Sequence, residues 1–244
     1  MISILTVSYN TRDFVKLLCR SVKRFTTWPY ELIVVDCNST DGTREWLAEQ
    51  KGIRLHALPE NIKHGPGLDV ALSLAQYQYC LVLDSDSHLQ RQGWENDLVG
   101  LYHADDNTRL VAAKGTADPD SPSAKPIHAC FMFFETRVFR DLGMSFIARD
   151  GHDVGRKIFY DLRDREFKTL RIDAGYEGPG AVKFYPGCFG DEYYICGRPT
   201  IYHNWYSSRM WHTEKVDNYT HADFDKNKAR LFEQPLVREI MAGA

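Results

Sequence analysis

Two aspartates that follow an apolar run are the residues of this chain best suited to chemistry. The run 79–83 ends in Asp84-Ser85-Asp86, so two carboxylates stand two positions apart. In a parallel α/β sheet, ligands bind at the carboxyl ends of the strands. Carboxylate oxygens at that place suit Mg²⁺ or Mn²⁺, ions that commonly hold substrate phosphates as well. The motif therefore predicts a metal–diphosphate site, and an ordinary turn is the alternative.

The first 86 residues alternate between strand and helix patterns. Apolar, β-rich runs cover 2–9, 31–36, 53–58 and 79–84. Amphipathic spacing predicts helices over 13–25, over 44–49 and, after Gly65-Pro66-Gly67, over 68–75. Alternation of this kind predicts a parallel sheet with right-handed crossovers.

The second half of the chain is less regular. Strands are expected at 109–113, at 129–135 and near 201–205, and helices around Val138-Phe139 and over 153–165. The segment 175–190 is rich in Gly, Pro and aromatic residues, which favours loops. An apolar stripe over 222–241 predicts helix, which Pro235 should interrupt. Without a repeat or a low-complexity linker, we expect a single domain.

Charge, apolar runs and cysteine spacing disfavour several classes of protein. A net charge of −3 gives no argument for nucleic-acid binding, and there is no apolar run long enough for a transmembrane segment. The chain opens directly on a strand pattern, unlike a signal peptide. Its six cysteines are scattered without a C-x-x-C pair, which favours reduced thiols. We therefore expect a cytoplasmic protein, with docking at a membrane periphery left open.

Four motifs in order carry a resemblance to a known family. They are Val7-Ser8-Tyr9-Asn10, the segment 34–43 containing Asp36, Pro59-Glu60-Asn61 with a downstream Gly, and Leu83 to Asp86. Together they resemble the inverting family-2 glycosyltransferases of the GT-A fold, over roughly residues 1–165. The resemblance implies an α/β, Rossmann-like, mostly parallel central sheet flanked by helices, with an irregular C-terminal region. Within a single domain 1–244, residues 1–100 would bind the nucleotide sugar. Residues 101–244 would bind the acceptor and end in a helical extension.

The same resemblance implies roles for the donor-binding residues. Asp36 would accept a hydrogen bond from the nucleotide base, commonly the uracil N3–H, unless it only caps the next helix. Thr6, Ser8 and Tyr9 would touch base and ribose, although Tyr9 is equally compatible with the edge of the core. Ser85 would lie in the donor site between the two aspartates.

The resemblance also implies that three side chains take part in metal binding. Asp86 would bind Mn²⁺ or Mg²⁺ directly, and Asp84 would reach the ribose or, through water, the metal. A late histidine often completes such a site, and His203 is the best match. His212 and His221 are its rivals. Two late cations, Arg209 and Lys215, would reach the diphosphate or remain solvated at the surface.

The general base is expected near the start of a helix after the acceptor loop. Asp153 is the first choice for removing the proton of the acceptor hydroxyl, and Asp150 is the second. His152 departs from the family, because an acidic residue is common at that position. The alternative is that either aspartate caps a helix, which needs no catalytic role.

The predicted function is metal-dependent transfer of a sugar, with inversion, from a UDP-sugar donor to a hydroxyl acceptor. The acceptor can be a carbohydrate, a lipid-linked molecule or another alcohol. A retaining GT-A enzyme would show the same Asp-x-Asp motif. A nucleotidyltransferase is disfavoured, because residues 7–12 lack a Gly-rich basic loop. The departure at His152 keeps open a non-catalytic nucleotide- or sugar-binding module.

Overall fold

Four parallel strands form the first half of the central sheet and end at a common edge. They are β1 (Ile2–Ser8), β2 (Tyr30–Asp36), β3 (Ile53–Ala57) and β4 (Tyr79–Leu83). Their order is β3-β2-β1-β4, and each neighbouring pair is parallel. Their carboxyl ends therefore lie side by side, where a sheet of this type binds its ligands.

Residues with a described position cover most of the chain. The structure is a computed structural model, and it describes residues 1–115, 126–148, 154–175, 184–204, 215–216 and 219–243. Within these ranges, none of the helices is both long and apolar enough to cross a lipid bilayer.

Three helices connect the four strands: α1 (Arg12–Phe25), α2 (Thr43–Ala48) and α3 (His64–Leu74). The predicted apolar stripe of α1 is buried at Phe14, Leu17, Leu18, Val22 and Phe25. These side chains recur at i, i+3 and i+4, so they share one face and pack against the sheet. The βα alternation predicted for this half is confirmed.

The second half adds three strands to the same sheet. In chain order it contains β5 (Ser87–Leu89), α4 (Trp94–His103), β6 (Thr108–Lys114), β7 (Ile127–Glu135), α5 (Thr136–Asp141), α6 (Arg156–Asp164) and β8 (Lys168–Ile172). The sheet order is β3-β2-β1-β4-β7-β6-β8, in which β7 is antiparallel to both neighbours and β8 is parallel to β6. The mostly parallel central sheet flanked by helices, predicted from the sequence, is confirmed.

A smaller antiparallel sheet lies beside the end of β4. It joins β5 to β10 (Arg198–Asn204) and β10 to β9 (Gly190–Ile195). The chain then passes through β11 (Lys215–Val216) and β12 (Tyr219–Thr220) into α7 (His221–Glu233) and α8 (Pro235–Ala242). Pro235 is the first residue of α8, so it separates two helices as expected. Arg24 of α1 pairs with Glu239 of α8 at 2.8 Å, which holds this extension against the first half.

Some elements differ from the sequence-based expectations. Helix α3 begins at His64, so Gly65-Pro66-Gly67 forms its first turn instead of preceding it. Pro66 is tolerated there because the first N–H groups of a helix have no partner within the helix. The first helical bond runs from the Gly67 N–H to the Lys63 carbonyl, at 3.1 Å. Six elements, β5, α4, β8, β9, β11 and β12, had not been predicted.

Candidate functional site

The carboxylate pair lies in a tight turn at the carboxyl end of β4. The Asp84 N–H donates to the carbonyl oxygen of Cys130 in β7 at 3.0 Å, and the Ser87 N–H donates to the Asp84 carbonyl at 2.9 Å. These bonds end β4 and redirect the chain into β5. The side chains of Asp84 and Asp86 keep 18% and 11% of their surface exposed. Both carboxylates are therefore largely buried yet still reachable from solvent.

His203 is brought to the pair by the small antiparallel sheet. Strand β10 pairs with β5 so that His203 lies opposite Ser87, and the Asn204 N–H donates to the Asp86 carbonyl at 3.0 Å. The His203 Nε2 lies 3.5 Å from Asp86 Oδ1 and 3.7 Å from Asp84 Oδ2. One ligand atom from each of these three residues lies within 4.8 Å of the others. The predicted metal-binding residues thus converge, whereas His221 begins α7 as an exposed residue.

His64 is a further imidazole at Asp84. Its Nε2 lies 3.1 Å from Asp84 Oδ1, whereas His203 approaches the other oxygen of this carboxylate. The first turn of α3 places His64 there, and two glycines allow the close approach of that turn. A Cβ at Gly65 would lie 2.3 Å from the Phe146 carbonyl oxygen, and one at Gly67 would lie 2.9 Å from a Val7 methyl.

The charge of Asp84 is stabilised by its imidazole neighbours. Burial by itself raises the pKa of Asp84. The imidazoles of His64, His203 and His128 outweigh burial, so the net pKa of this carboxyl lies below its ordinary value. An ionised carboxylate at this position is a competent ligand for a cation.

The donor set fits a hard divalent cation. Asp84 and Asp86 offer oxygen atoms and His203 offers a ring nitrogen. Mg²⁺ prefers oxygen ligands, and Mn²⁺ accepts an imidazole beside carboxylates. The separations of 3.5 and 3.7 Å between His203 and the carboxylates are close to those of ligands around one ion. The chemistry of the residues therefore suits Mn²⁺ or Mg²⁺.

Asp36 lies at the carboxyl end of β2 in a different environment. Its side chain is fully buried and accepts hydrogen bonds from the Ser8 hydroxyl at 3.1 Å, the Ser39 N–H at 3.0 Å and Arg44 Nε at 3.0 Å. Arg44 also donates to the Leu58 carbonyl. Together with Arg44, the carboxylate therefore links the end of β1 to the segments that follow β2 and β3.

The other predicted donor-binding residues surround these carboxylates along the same edge. Thr6 is buried in β1, and within the described residues its hydroxyl has no hydrogen-bond partner. Ser8 ends β1 and donates to Asp36. Tyr9 follows Ser8 and is half-buried against the core, and Ser85 is a buried residue between the two aspartates.

Several residues that the sequence analysis singled out, including both candidates for the general base, fall outside the described ranges. Asp150, His152 and Asp153 belong to the undescribed segment 149–153, and Arg209 and His212 belong to 205–214. Lys215 is described only as the first residue of β11.

Two histidines near Asp84 were not predicted from the sequence. His64 was hidden by the Gly-Pro-Gly segment that follows it, and His128 by the apolar strand β7 around it. The His128 and His203 rings lie with centroids 5.0 Å apart. A usable signal for His64 was its place directly before glycines that permit close packing, but nothing local marks His128.

Curated relatives match parts of the chain. TuaG of Bacillus subtilis strain 168, a glycosyltransferase named for teichuronic acid biosynthesis, is 32% identical over 133 residues, which is 53% of each chain. A teichoic acid poly(glycerol phosphate) polymerase of Staphylococcus epidermidis strain RP62A is 29% identical over 93 residues, 36% of this chain and 13% of that protein. The matched region thus spans about half the length of the first relative and a small part of the second.

Solved structures share the fold across almost the whole chain. The mannosyltransferase PcManGT from Pyrobaculum calidifontis, in complex with GDP-Man and Mn²⁺, has a TM-score of 0.55 at 16% identity, covering 99% of this chain and 72% of that one. S. aureus TarS 1-349 has a TM-score of 0.53 at 15% identity, covering 99% of this chain and 69% of that one. At such identities, the likeness establishes the fold alone.

A family profile assigns the chain more directly. The profile described as "Glycosyl transferase family 2" matches residues 3–159, well over half of the 244 residues. The matched region contains Asp36, Asp84 and Asp86, whereas His203 lies beyond it. The chain belongs to glycosyltransferase family 2.

Proposed function

We propose that this chain transfers a sugar from a UDP-sugar to an acceptor hydroxyl with the help of Mn²⁺ or Mg²⁺. The observation that carries the proposal is the convergence of Asp84, Asp86 and His203 at the carboxyl edge of the parallel sheet. Family membership supports the reaction class. The complex of PcManGT with a nucleotide sugar and Mn²⁺ supports the use of a cation.

The cation would be held by Asp86 and His203, with Asp84 reaching it directly or through water. When bound, a divalent ion acts as a Lewis acid toward the phosphates of the leaving nucleotide, an effect worth several kcal/mol. His64 stabilises the ionised form of Asp84 from the other side and so keeps this carboxylate available.

Asp36 is our candidate for recognition of the uracil base. An ionised carboxylate has about four acceptor sites, and three donors of the protein occupy this one. Ser8 donates to Oδ1 and the other two donate to Oδ2, so Oδ1 retains the capacity to accept the uracil N3–H. Since Asp36 has no exposed surface, donor binding requires the loops after β1 and β2 to rearrange. Thr6, Ser8, Tyr9 and Ser85 would line the base and ribose, and Arg209 would reach the diphosphate.

Proton transfer is assigned to Asp153, with Asp150 as second choice. The acceptor hydroxyl gives its proton to this carboxylate, and its oxygen bonds to the anomeric carbon. The bond from that carbon to the β-phosphate oxygen breaks, and UDP leaves from the opposite face, which inverts the configuration.

The acceptor is assigned by chemical class alone. Residues 1–100 would bind the donor, and residues 101–244 would shape the acceptor site. The two relatives are named for teichuronic acid and teichoic acid, so a hydroxyl of a carbohydrate or lipid-linked polymer precursor is our first candidate. The six free cysteines fit a reducing compartment, so we place the reaction in the cytoplasm, where the acceptor can lie at a membrane surface.

The test is UDP release from a panel of UDP-sugars with Mn²⁺, with and without alcohol acceptors. We expect release that a chelator abolishes, and slow hydrolysis when water replaces the acceptor. NMR of the product should show the inverted anomer, and retention would remove the inverting assignment. No UDP release under any condition would favour a non-catalytic binding module.

The base assignment is tested by two matched variants. Asp153→Asn should lower turnover by about 10²–10⁴-fold, the usual cost of losing a general base, with little change in UDP affinity. The same fall in Asp150→Asn, with Asp153→Asn near wild type, would transfer the role to Asp150.

A further inference from the structure

A second set of metal-ligating groups shares His203 with the carboxylate pair. His128, Cys130 and His203 each offer one ligand atom, and these three atoms lie within 4.8 Å of one another. The carboxylate set is dominated by hard oxygen atoms, whereas this set offers a sulfur and two nitrogens. Sulfur and imidazole ligands select softer ions such as Zn²⁺ and Cd²⁺ over Mn²⁺ and Mg²⁺.

Two strands fix the geometry of this second set, and both are hydrogen-bonded to the turn that carries Asp84 and Asp86. His128 and Cys130 lie two positions apart in β7, and the Cys130 carbonyl accepts from the Asp84 N–H. His203 comes from β10, and its ring centroid lies 5.0 Å from that of His128 with the planes tilted by 47°. Ligands on separate strands that are each anchored by hydrogen bonds cannot drift apart easily, so the set is preorganised for one ion.

Cys130 is a fully buried thiol beside Asp84. Burial, and then the charge of Asp84, raise the pKa of this thiol well above its ordinary value. Its sulfur makes one long hydrogen bond, 3.5 Å, to the Tyr193 hydroxyl. An incoming Zn²⁺ or Cd²⁺ would bind the sulfur as thiolate and release the thiol proton to solvent. Because the hydrogen bond to Tyr193 is weak, breaking it opposes coordination little.

We propose that His128, Cys130 and His203 bind a thiophilic divalent ion, and that this ion withdraws His203 from the Asp84–Asp86 pair. The inhibitory half of this proposal rests on the metal role assigned to His203 under the proposed function. Both donor sets include His203, and two divalent ions held around one imidazole would repel each other, so the soft ion and Mn²⁺ compete. Zn²⁺ binds nitrogen and sulfur ligands more tightly than Mn²⁺ does, so low concentrations of Zn²⁺ should oppose Mn²⁺.

The binding half is tested without any donor or turnover. Cd²⁺ is titrated into metal-free protein carrying Cys196→Ser, which removes the exposed thiol. The ultraviolet charge-transfer band of a cadmium thiolate should appear, and Mn²⁺ should reduce it. Adding Cys130→Ser should abolish the band. If that variant does not fold, His128→Gln should weaken Cd²⁺ binding by about tenfold or more.

Each outcome decides one half of the proposal. A band that persists in Cys130→Ser, or no band at all, overturns the soft-metal site. A Cys130-dependent band that excess Mn²⁺ leaves unchanged overturns the sharing of His203. If Cd²⁺ binds as expected but UDP release never occurs, the proposed function fails while the soft-metal site stands. In an active enzyme, Zn²⁺ should inhibit, and rising Mn²⁺ should restore the rate.

Discussion

Two carboxylate sites share one edge of the sheet, and their partners differ in kind. Asp36 is paired with a guanidinium and accepts a hydrogen bond from a backbone N–H, and neither of these donors coordinates a cation. Asp84 is surrounded by imidazoles, and these can both donate to a carboxylate and bind a metal. The first arrangement joins the loops that donor binding would have to rearrange, whereas the imidazoles of the second can bind a metal ion beside the carboxylates.

Burial and charge distinguish the carboxylate proposed to recognise the base from the pair proposed to bind the metal. Asp36 is fully buried, and with Arg44 it links the end of β1 to the segments after β2 and β3. Asp84 and Asp86 keep some exposed surface and lie within 3.7 Å of the same imidazole. Removing Asp36 should therefore cost stability as well as UDP affinity, and removing Asp86 should cost activity with little change in stability.

The largest expected effect is on turnover in Asp86→Asn. Loss of a direct ligand removes several kcal/mol of stabilisation from the leaving diphosphate, so we expect a fall of about 100-fold or more. Stability should be unchanged or slightly raised, because one of two neighbouring like charges is gone. UDP release at saturating Mn²⁺ measures the effect, and the exposed Asp106→Asn is the control. Near-wild-type turnover would exclude Asp86 as a ligand.

The second effect is on stability in Asp36→Ala. The substitution leaves the Ser39 N–H and the partly exposed Arg44 guanidinium without their acceptor. We expect the free energy of unfolding to fall by about 2–4 kcal/mol, since Arg44 retains some access to water. Urea unfolding measures it, with Asp106→Ala as the matched surface control. A loss as small as that of the control would mean that the Asp36 network is not structural.

The third effect concerns the helix turn that carries His64. In Gly65→Ala the new methyl group would lie 2.3 Å from the Phe146 carbonyl oxygen, so α3 must move. We expect destabilisation by about 1–3 kcal/mol, together with weaker UDP binding as His64 leaves Asp84. Gly100→Ala is the control, because its position in α4 is open, and it should gain about 0.5–1 kcal/mol. Equal stabilities of the two variants would refute the close approach of α3.

The smallest expected effect is on the pH dependence of stability. It concerns His88, which, unlike the imidazoles of the site, lacks a carboxylate. Burial lowers the pKa of His88 to about 3, whereas an unfolded chain restores the ordinary value near 6.5. Between these values the unfolded state binds the additional proton, so stability falls as the pH falls. From pH 7 to pH 5, this histidine should account for about 2 kcal/mol of lost stability.

Urea unfolding at both pH values tests this assignment. His88→Gln should reduce the loss between pH 7 and pH 5, and the exposed His56→Gln should leave it unchanged. An identical loss in His88→Gln and in the wild type would show that other groups control the acid sensitivity.

The first half of the fold could be predicted because its strands carry their own signal. Strands β1, β2 and β4 are covered on both faces, so their sequences read as near-continuous apolar runs. Strand β5 has only three residues and is defined by its pairing with β10. Strand β8 is a charged edge strand whose residues are half-buried or exposed. Neither carries a local pattern that distinguishes it from a loop.

The site was predictable to a similar extent. The carboxylates follow apolar strands, so their position at the sheet edge could be inferred from the sequence. The contact between Asp84 and His64 depends on the packing of α3, and that of His128 depends on the antiparallel return of β7. Such contacts arise from tertiary structure. The glycines after His64 are the one local signal for either imidazole.

The most direct test of the central claim is calorimetric titration of UDP into the protein with Mn²⁺ and with a chelator. We predict that UDP binding weakens by about tenfold or more when the cation is removed, and equally in Asp86→Asn, while Asp106→Asn behaves as wild type. UDP binding of the same strength without a cation, or undiminished in Asp86→Asn, would contradict the assignment of Asp84, Asp86 and His203 as the metal–diphosphate site.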